Sequence, residues 1–234
     1  MKRLLAGLLV LGLLLVVAAQ VFLPRLVSGL VARSVENQIR AEKVTAQVEK
    51  TPALLMLGGK FDEMTISAAK AQTGRLLFDE IKIAISAASF DMPALLMDRR
   101  LVLATAGKIE LSGVITQEEL ARYLNANVKY VKNAVVTVRD GRVIIDAQLA
   151  LVGPVAFKAT MDGRIVGDGR QLRFVTEHFS LNDRLAGNIG GALLTEIPLA
   201  DLRQLPFAVG VREVTMEQGK VTVYMDSRVP LDNP

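Results

Sequence analysis

Residues 140–154 read Asp-Gly-Arg-Val-Ile-Ile-Asp-Ala-Gln-Leu-Ala-Leu-Val-Gly-Pro, and this stretch indicates the class of fold. Apolar residues occupy every second position from Ile145 to Leu151, while Asp146 and Gln148 fall on the opposite face. Turn-forming pairs bound the run, Asp-Gly at its start and Gly-Pro at its end. The stretch therefore predicts an antiparallel strand with one dry face and one wet face.

The same period of two continues on both sides of this strand, which predicts an antiparallel meander from Asn133 onward. Turn signals at Asp168-Gly169 and Gln218-Gly219 separate further strands. The expected strands are 133–139, 142–152, 155–166, 171–181, 207–217 and 220–227. A helix from Asn188 to Glu196 is expected to interrupt them and to end before Pro198.

A five-residue repeat stands upstream of the meander. Pro52-Ala53-Leu54-Leu55-Met56 returns as Pro93-Ala94-Leu95-Leu96-Met97. Proline suits the first position of a short helix, so each copy predicts a helical turn between two strands. The flanking strands are expected at 44–50, 61–69, 81–89 and 101–111. The apolar residues of each copy either cap a sheet edge or line an apolar cavity.

A soluble helix is predicted from Thr116 to Asn127. Thr116 and Glu119 have the spacing of a capping box, and Leu120 and Leu124 share a face. Acidic residues at the start of a helix interact favourably with the helix dipole. The acidic residues here therefore indicate a structural role more than acid-base chemistry.

The N-terminus carries a targeting segment. Lys2 and Arg3 precede an apolar run from Leu4 to Leu23. Two interpretations are open, an uncleaved membrane anchor and a signal peptide cut after Ala19. The length of the run favours the anchor, with the cationic N-terminus in the cytoplasm and the rest of the chain on the extracytoplasmic side of the cell membrane. Cleavage would instead release a secreted or periplasmic protein.

Beyond this segment of residues 1–24, we expect a single domain over residues 25–234. Its first element is an amphipathic helix from Arg25 to about Glu42, with apolar residues such as Val27 and Val31 at helical spacing. That apolar stripe either packs on the domain core or lies against lipid.

The composition excludes several classes of function. The net charge of +4 comes without a dense basic run, aromatic residues make up 5% of the chain, and Trp is absent, which argues against nucleic-acid binding. Without Cys there is no disulfide and no thiol chemistry. The sequence contains a single histidine, His178, and neither a nucleophile elbow nor a cluster of metal ligands accompanies it. We therefore expect no catalytic residues, no metal and no cofactor.

The order of elements and several local motifs resemble one family of bacterial envelope proteins, the LmeA-like phospholipid-binding family. The resemblance runs from about Leu26 to Asp226. Its carriers are the amphipathic helix, Lys50–Lys60 with the strand after it, Asp91–Met97, Gly113–Leu120, the meander, and Leu205-Pro206. The resemblance implies an α+β fold in which a long curved antiparallel sheet wraps helices, as in tubular lipid-binding proteins. It also implies binding of a phospholipid or related envelope lipid without catalysis.

We therefore expect a membrane-anchored protein that holds or transfers a lipid through an apolar groove. The residues expected to contact lipid tails are Leu54, Leu55, Leu95, Leu96, Leu120, Leu124, Leu193 and Leu194. A structural or interaction protein of the envelope with a fully packed core is the alternative, and the sequence identifies no protein partner. A lipid- or glycan-modifying enzyme would require carboxylates such as Asp62, Glu63, Asp79 or Glu80 to converge in a cleft.

Overall fold

The fold is of the α+β class, with antiparallel sheets and few helices, as the sequence predicts. The computed structural model describes residues 2–39, 41–152, 155–182, 184–185, 195–205 and 208–228. Contacts divide the chain into two compact units, Met1–Ala68 with Lys82–Ile109, and Ala69–Ile81 with Glu110–Pro234. Several strands run from one unit into the other. A single domain from residue 25 onward stays a prediction.

The N-terminal segment and the amphipathic helix form one helix, α1, which spans Lys2–Ile39 and contains Pro24. Beyond Pro24 a narrow stripe of this helix is buried, including Val27, Val31 and Val35, whereas Leu26 is 60% exposed. The spacing of this stripe follows the helical period. The second part of α1 therefore packs within the first unit, to which it belongs, as the first of the two interpretations predicts.

The helices and short turns after α1 lie close to their predicted positions. The first repeat forms a 3₁₀ helix, Ala53–Gly58, which we call the first repeat turn. The second forms α2, Met92–Met97, which we call the second repeat turn. Helix α3 spans Gln117–Asn127, and a short 3₁₀ helix covers Leu202–Gln204. The hydroxyl of Thr116 caps α3 by accepting a hydrogen bond from the backbone N–H of Glu119 at 3.3 Å.

The described strands form two antiparallel sheets. The strands of the first are β1 Lys43–Glu49, β2 Lys60–Thr73, β3 Leu76–Phe90, β4 Leu103–Thr105, β5 Lys108–Thr116, β12 Gly210–Glu217 and β13 Lys220–Asp226. Their order is β1-β2-β3-β5-β13-β12, with β4 paired to β3. The strands of the second are β6 Val131–Arg139, β7 Arg142–Val152, β8 Val155–Asp168, β9 Gln171–Leu181, β10 Arg184–Leu185 and β11 Glu196–Asp201. Their order is β10-β9-β8-β7-β6, with β11 also paired to β9.

The second sheet confirms the predicted meander from β6 to β9. On β7, Ile145, Ala147 and Leu149 are buried while Asp146 and Gln148 are exposed. The alternation in the sequence therefore identified the dry face of this strand correctly.

The last hairpin departs from the prediction. Instead of extending the meander, β13 pairs with β5 in the first sheet, with Val221 opposite Ile115. Alternation specifies a strand and its buried face, but it carries no information about which distant strand lies beside it. The predicted strand 101–111 is likewise divided, into β4 and β5.

The helix expected from Asn188 to Glu196 lies largely outside the described residues. Its last two residues, Thr195 and Glu196, are described, and there the prediction is wrong, because neither is helical and Glu196 begins β11. Pro198 lies within this strand, opposite Arg173 of β9. Because β11 pairs with β9 and nothing is shown on its other side among the described strands, it has the edge position that proline in a strand requires.

Candidate functional site

The two repeat turns carry half of the residues predicted to contact lipid. The first turn starts after Pro52 and ends at Gly59, whose φ of +74° is left-handed and whose N–H donates to the carbonyl of Met56 at 2.9 Å. The second starts after Asp91, whose carboxylate accepts a hydrogen bond from the N–H of Ala94 at 3.0 Å. Each repeat therefore forms a capped helical turn between strands, as the sequence predicts.

In the first unit the predicted residues divide into exposed and buried side chains. Leu54 and Leu55 are 44% and 46% exposed, and Leu96 is 56% exposed. Leu95 is buried. The exposed group extends to two residues that were not predicted as contacts, Leu57 and Met97. The turns thus present leucine and methionine side chains to their surroundings instead of only plugging the core.

In the second unit Leu120 and Leu124 are fully buried on the inner face of α3. They belong to the core of that unit, which also includes Phe78 and Phe174. Leu193 and Leu194 lie outside the described residues. The structure therefore describes six of the eight predicted residues, four in the first unit and two in the second.

Helix α1 holds the first repeat turn through a polar residue. The side-chain oxygen of Gln20 accepts a hydrogen bond from the N–H of Ala53 at 2.8 Å, and its nitrogen donates to the carbonyl of Lys50 at 3.3 Å. Gln20 is the polar residue that interrupts the apolar run of the N-terminal segment, and this interruption was the available signal for its role. The first repeat turn is therefore fixed at a defined level of α1.

A groove lies beside this contact. Its volume is about 600 Å³, and its walls come from α1 and from the strand β1 with the two residues after it. Ser28 of α1 joins the walls, because its hydroxyl accepts a hydrogen bond from the N–H of Val48 at 3.2 Å. The lining includes Gln20, Arg25, Gln47, Glu49 and Lys50, so the groove suits polar groups better than an acyl chain.

An ion pair joins the residues that precede and follow the first repeat turn in the chain. The ammonium of Lys50 lies 2.5 Å from the carboxylate of Asp62, which also accepts a hydrogen bond from the N–H of Thr51 at 3.2 Å. The hydrogen bond from Lys50, and then the one from Thr51, lower the pKa of Asp62 below its ordinary value of 3.8. The charged form of Asp62 is therefore the one that the folded structure favours.

We expect the variant Lys50→Met to raise the pKa of Asp62 toward 3.8, because it removes the largest cause of the shift. Since the folded pKa is lowered, this pair stabilises the fold above pH 3.8 and its contribution disappears as the pH falls through the folded pKa. A carboxyl-detected NMR titration measures the shift. The control is Lys60→Met, which removes the same charge from a neighbouring position. An equal shift in both variants would contradict the assignment to the bond.

The second unit contains a cleft of about 350 Å³. Arg75, Tyr123 and Arg173 lie in its lining, and the hydroxyl of Tyr123 donates to the carbonyl of Pro198 at 2.8 Å. Burial raises the pKa of Tyr123, partly opposed by the charge of Arg75. Arg173 is neutralised by Asp168 at 2.6 Å and Glu196 at 2.7 Å. This small cleft offers positions for polar groups but little surface for lipid tails.

The described residues give no support to catalysis. His178 is exposed on β9 opposite Asp162. Of the four carboxylates named for a lipid- or glycan-modifying enzyme, Asp62 pairs with Lys50 and Asp79 with Lys70. Within the described ranges, no group of three or more metal-ligating side chains comes together.

Comparison with known proteins gives one family. The family model described as LmeA-like phospholipid-binding matches residues 18–226, which is most of the chain. No curated protein and no solved structure matches the chain.

Proposed function

Because this chain belongs to the LmeA-like phospholipid-binding family, we propose that it is a membrane-anchored protein that binds a phospholipid by its acyl chains, without catalysis. The family match over residues 18–226 is the observation that carries this proposal. The match includes both repeat turns, α3 and the described strands of both sheets.

The length and exposure of α1 support the anchor. The helix has an apolar stretch long enough to span a membrane, within Gly7–Glu36, and every residue from position 7 to position 18 is exposed. At ~1.5 Å per residue, the run from Leu4 to Leu23 is ~30 Å long, which equals the hydrocarbon thickness of a bilayer. With Lys2 and Arg3 on the cytoplasmic side, the sheets lie on the extracytoplasmic side.

Acyl-chain binding has a simple energetic basis in this chain. Each buried CH₂ group contributes ~0.8 kcal/mol, so a partly enclosed tail gains several kcal/mol without a polar contact. We retain as contact residues Leu54, Leu55 and Leu96, which are exposed, and Leu95, Leu120 and Leu124, which are buried in the cores of their units. Leu193 and Leu194 belong to the same proposal. In this proposal the lipid tails lie between the dry face of a sheet and the helices.

The proposal is tested by mass spectrometry of lipids that copurify with a fragment of residues 20–234. This boundary keeps the hydrogen bonds of Gln20 and removes the exposed start of α1. We expect about one phospholipid per chain, well above a mock purification from the same cells. A fragment that is folded by circular dichroism, but is empty and takes up no added phospholipid, would overturn the proposal and favour an envelope interaction protein with a packed core.

A further inference from the structure

We propose that the first repeat turn inserts Leu54, Leu55 and Leu57 into the interfacial layer of the membrane leaflet from which α1 emerges, and that the second repeat turn does not. The inference rests on the membrane anchoring in the proposed function. It adds a second, non-helical contact with the bilayer, which would hold the first unit close to the lipid surface.

The first repeat turn is attached to α1 near the end of the apolar run. Gln20 binds Ala53 and Lys50 at the two sides of Pro52. At ~1.5 Å per residue, Gln20 lies ~24 Å along the helix from Leu4, near the outer boundary of a hydrocarbon core that is ~30 Å thick. If α1 spans the bilayer, the start of the first repeat turn lies ~6 Å inside the outer boundary of the hydrocarbon core, next to the headgroup layer.

The first repeat turn exposes large apolar side chains. Leu57 is 58% exposed, more than Leu54 or Leu55, while Ala53 and Met56 are buried and hold the turn in place. On α1 itself Phe22 is 68% exposed and Leu26 is 60% exposed. Soluble surfaces seldom expose so many large apolar side chains in one region, and such a patch indicates an interaction site. Because the patch continues an apolar helix, a bilayer is the partner that fits it.

The charges beside the turn agree with an interfacial position. Arg25 follows the apolar run on α1, and Lys60 follows the turn on β2, and both side chains are exposed. Long cationic side chains at this depth can place their apolar stems in the membrane and their charges among the headgroups. Of the acids in this segment, Asp62 is paired with Lys50, whereas Glu49 and Glu63 are exposed.

The second repeat turn provides an internal contrast. Leu96 is 56% exposed and Met97 is 83% exposed, so its side chains are at least as accessible. However, the hydroxyl of Ser34 donates to the carbonyl of Arg99 at 2.7 Å, which ties the end of this turn to a level ~21 Å beyond Gln20 on α1. The same sequence motif is therefore held at two distances from the membrane.

Site-specific labelling tests the inference on the full chain, which contains no native cysteine. Three variants, Leu55→Cys, Met97→Cys and Leu14→Cys, each receive an environment-sensitive nitrobenzoxadiazole label. They are reconstituted in vesicles of phosphatidylcholine and phosphatidylglycerol, with or without spin-labelled phosphatidylcholine. We expect the spin label to reduce emission about twofold or more at positions 55 and 14, and little at position 97.

The other results separate the inference from the anchor. Quenching at position 14 without quenching at position 55 would overturn the inference and leave the anchor intact. Equal quenching at positions 55 and 97 would overturn the distinction between the two turns. Absence of quenching at position 14 would overturn the anchor and the inference together. Circular dichroism of each labelled variant confirms that the fold is retained.

Discussion

Replacing Gly59 with alanine is expected to reduce the free energy of unfolding by about 3 kcal/mol. Gly59 has a φ of +74°, and a Cβ atom there would lie 2.2 Å from the carbonyl oxygen of Phe90. That oxygen belongs to the backbone of β3, and the adjoining N–H of Phe90 donates to the carbonyl of Gly59 at 2.8 Å. The two segments cannot separate without losing this bond, so neither the strain nor the clash is easily relieved.

The neighbouring glycine is the matched control. A Cβ atom on Gly58 would meet nothing within 4 Å, and its φ lies outside the left-handed region. We expect Gly58→Ala to change the free energy of unfolding by less than about 1 kcal/mol. Urea denaturation followed by circular dichroism measures both variants. Similar losses of stability in the two would show that the close approach between Gly59 and β3 does not exist.

The second large effect is expected for Phe78→Ala, which should cost about 3–5 kcal/mol of unfolding free energy. Phe78 on β3 is 1% exposed, and its ring covers Gly113 of β5. The alanine variant leaves a cavity between these two strands of the second unit. Leu77→Ala, on the opposite face of β3, is the control and should cost less than about 1.5 kcal/mol, because Leu77 is only partly buried.

A double-mutant cycle makes this prediction sharper. A Cβ atom on Gly113 would lie 2.7 Å and 2.8 Å from two ring carbons of Phe78. Gly113→Ala alone should therefore cost about 1–3 kcal/mol, but it should be close to neutral once Phe78 is alanine. Urea denaturation of the four proteins gives the coupling. Additive effects would contradict the packing of this ring on the glycine.

Local signals predicted most elements of the fold because they depend on neighbouring residues. The period of two and the Asp-Gly turns located β6 to β9, and Thr116 located the start of α3. The partner of β13 could not be predicted in this way, because Ile115 and Val221 are far apart in the chain and their pairing leaves no local pattern. The division of the chain into two units could not be predicted for the same reason, because it depends on contacts between distant residues.

The candidate site was predictable as a motif but not as a surface. The repeat located both turns, yet Leu95 and Leu96 occupy adjacent positions and have opposite environments. Which leucine faces outward depends on how each turn docks on α1 and β3, and that docking involves distant contacts such as Gln20 with Ala53. These contacts cannot be inferred from the composition of the chain or from the spacing of its residues.

The position of β13 has a consequence for biosynthesis. This strand lies between β5 and β12 in the first sheet, although its residues, Lys220–Asp226, are synthesised long after those of β5. While the chain is translated, β5 has one hydrogen-bonding edge open until residues 220–226 have emerged. Unpaired strand edges promote association with other chains. A chaperone that guards this edge would therefore act late, and a chain truncated before residue 220 would keep the edge open permanently.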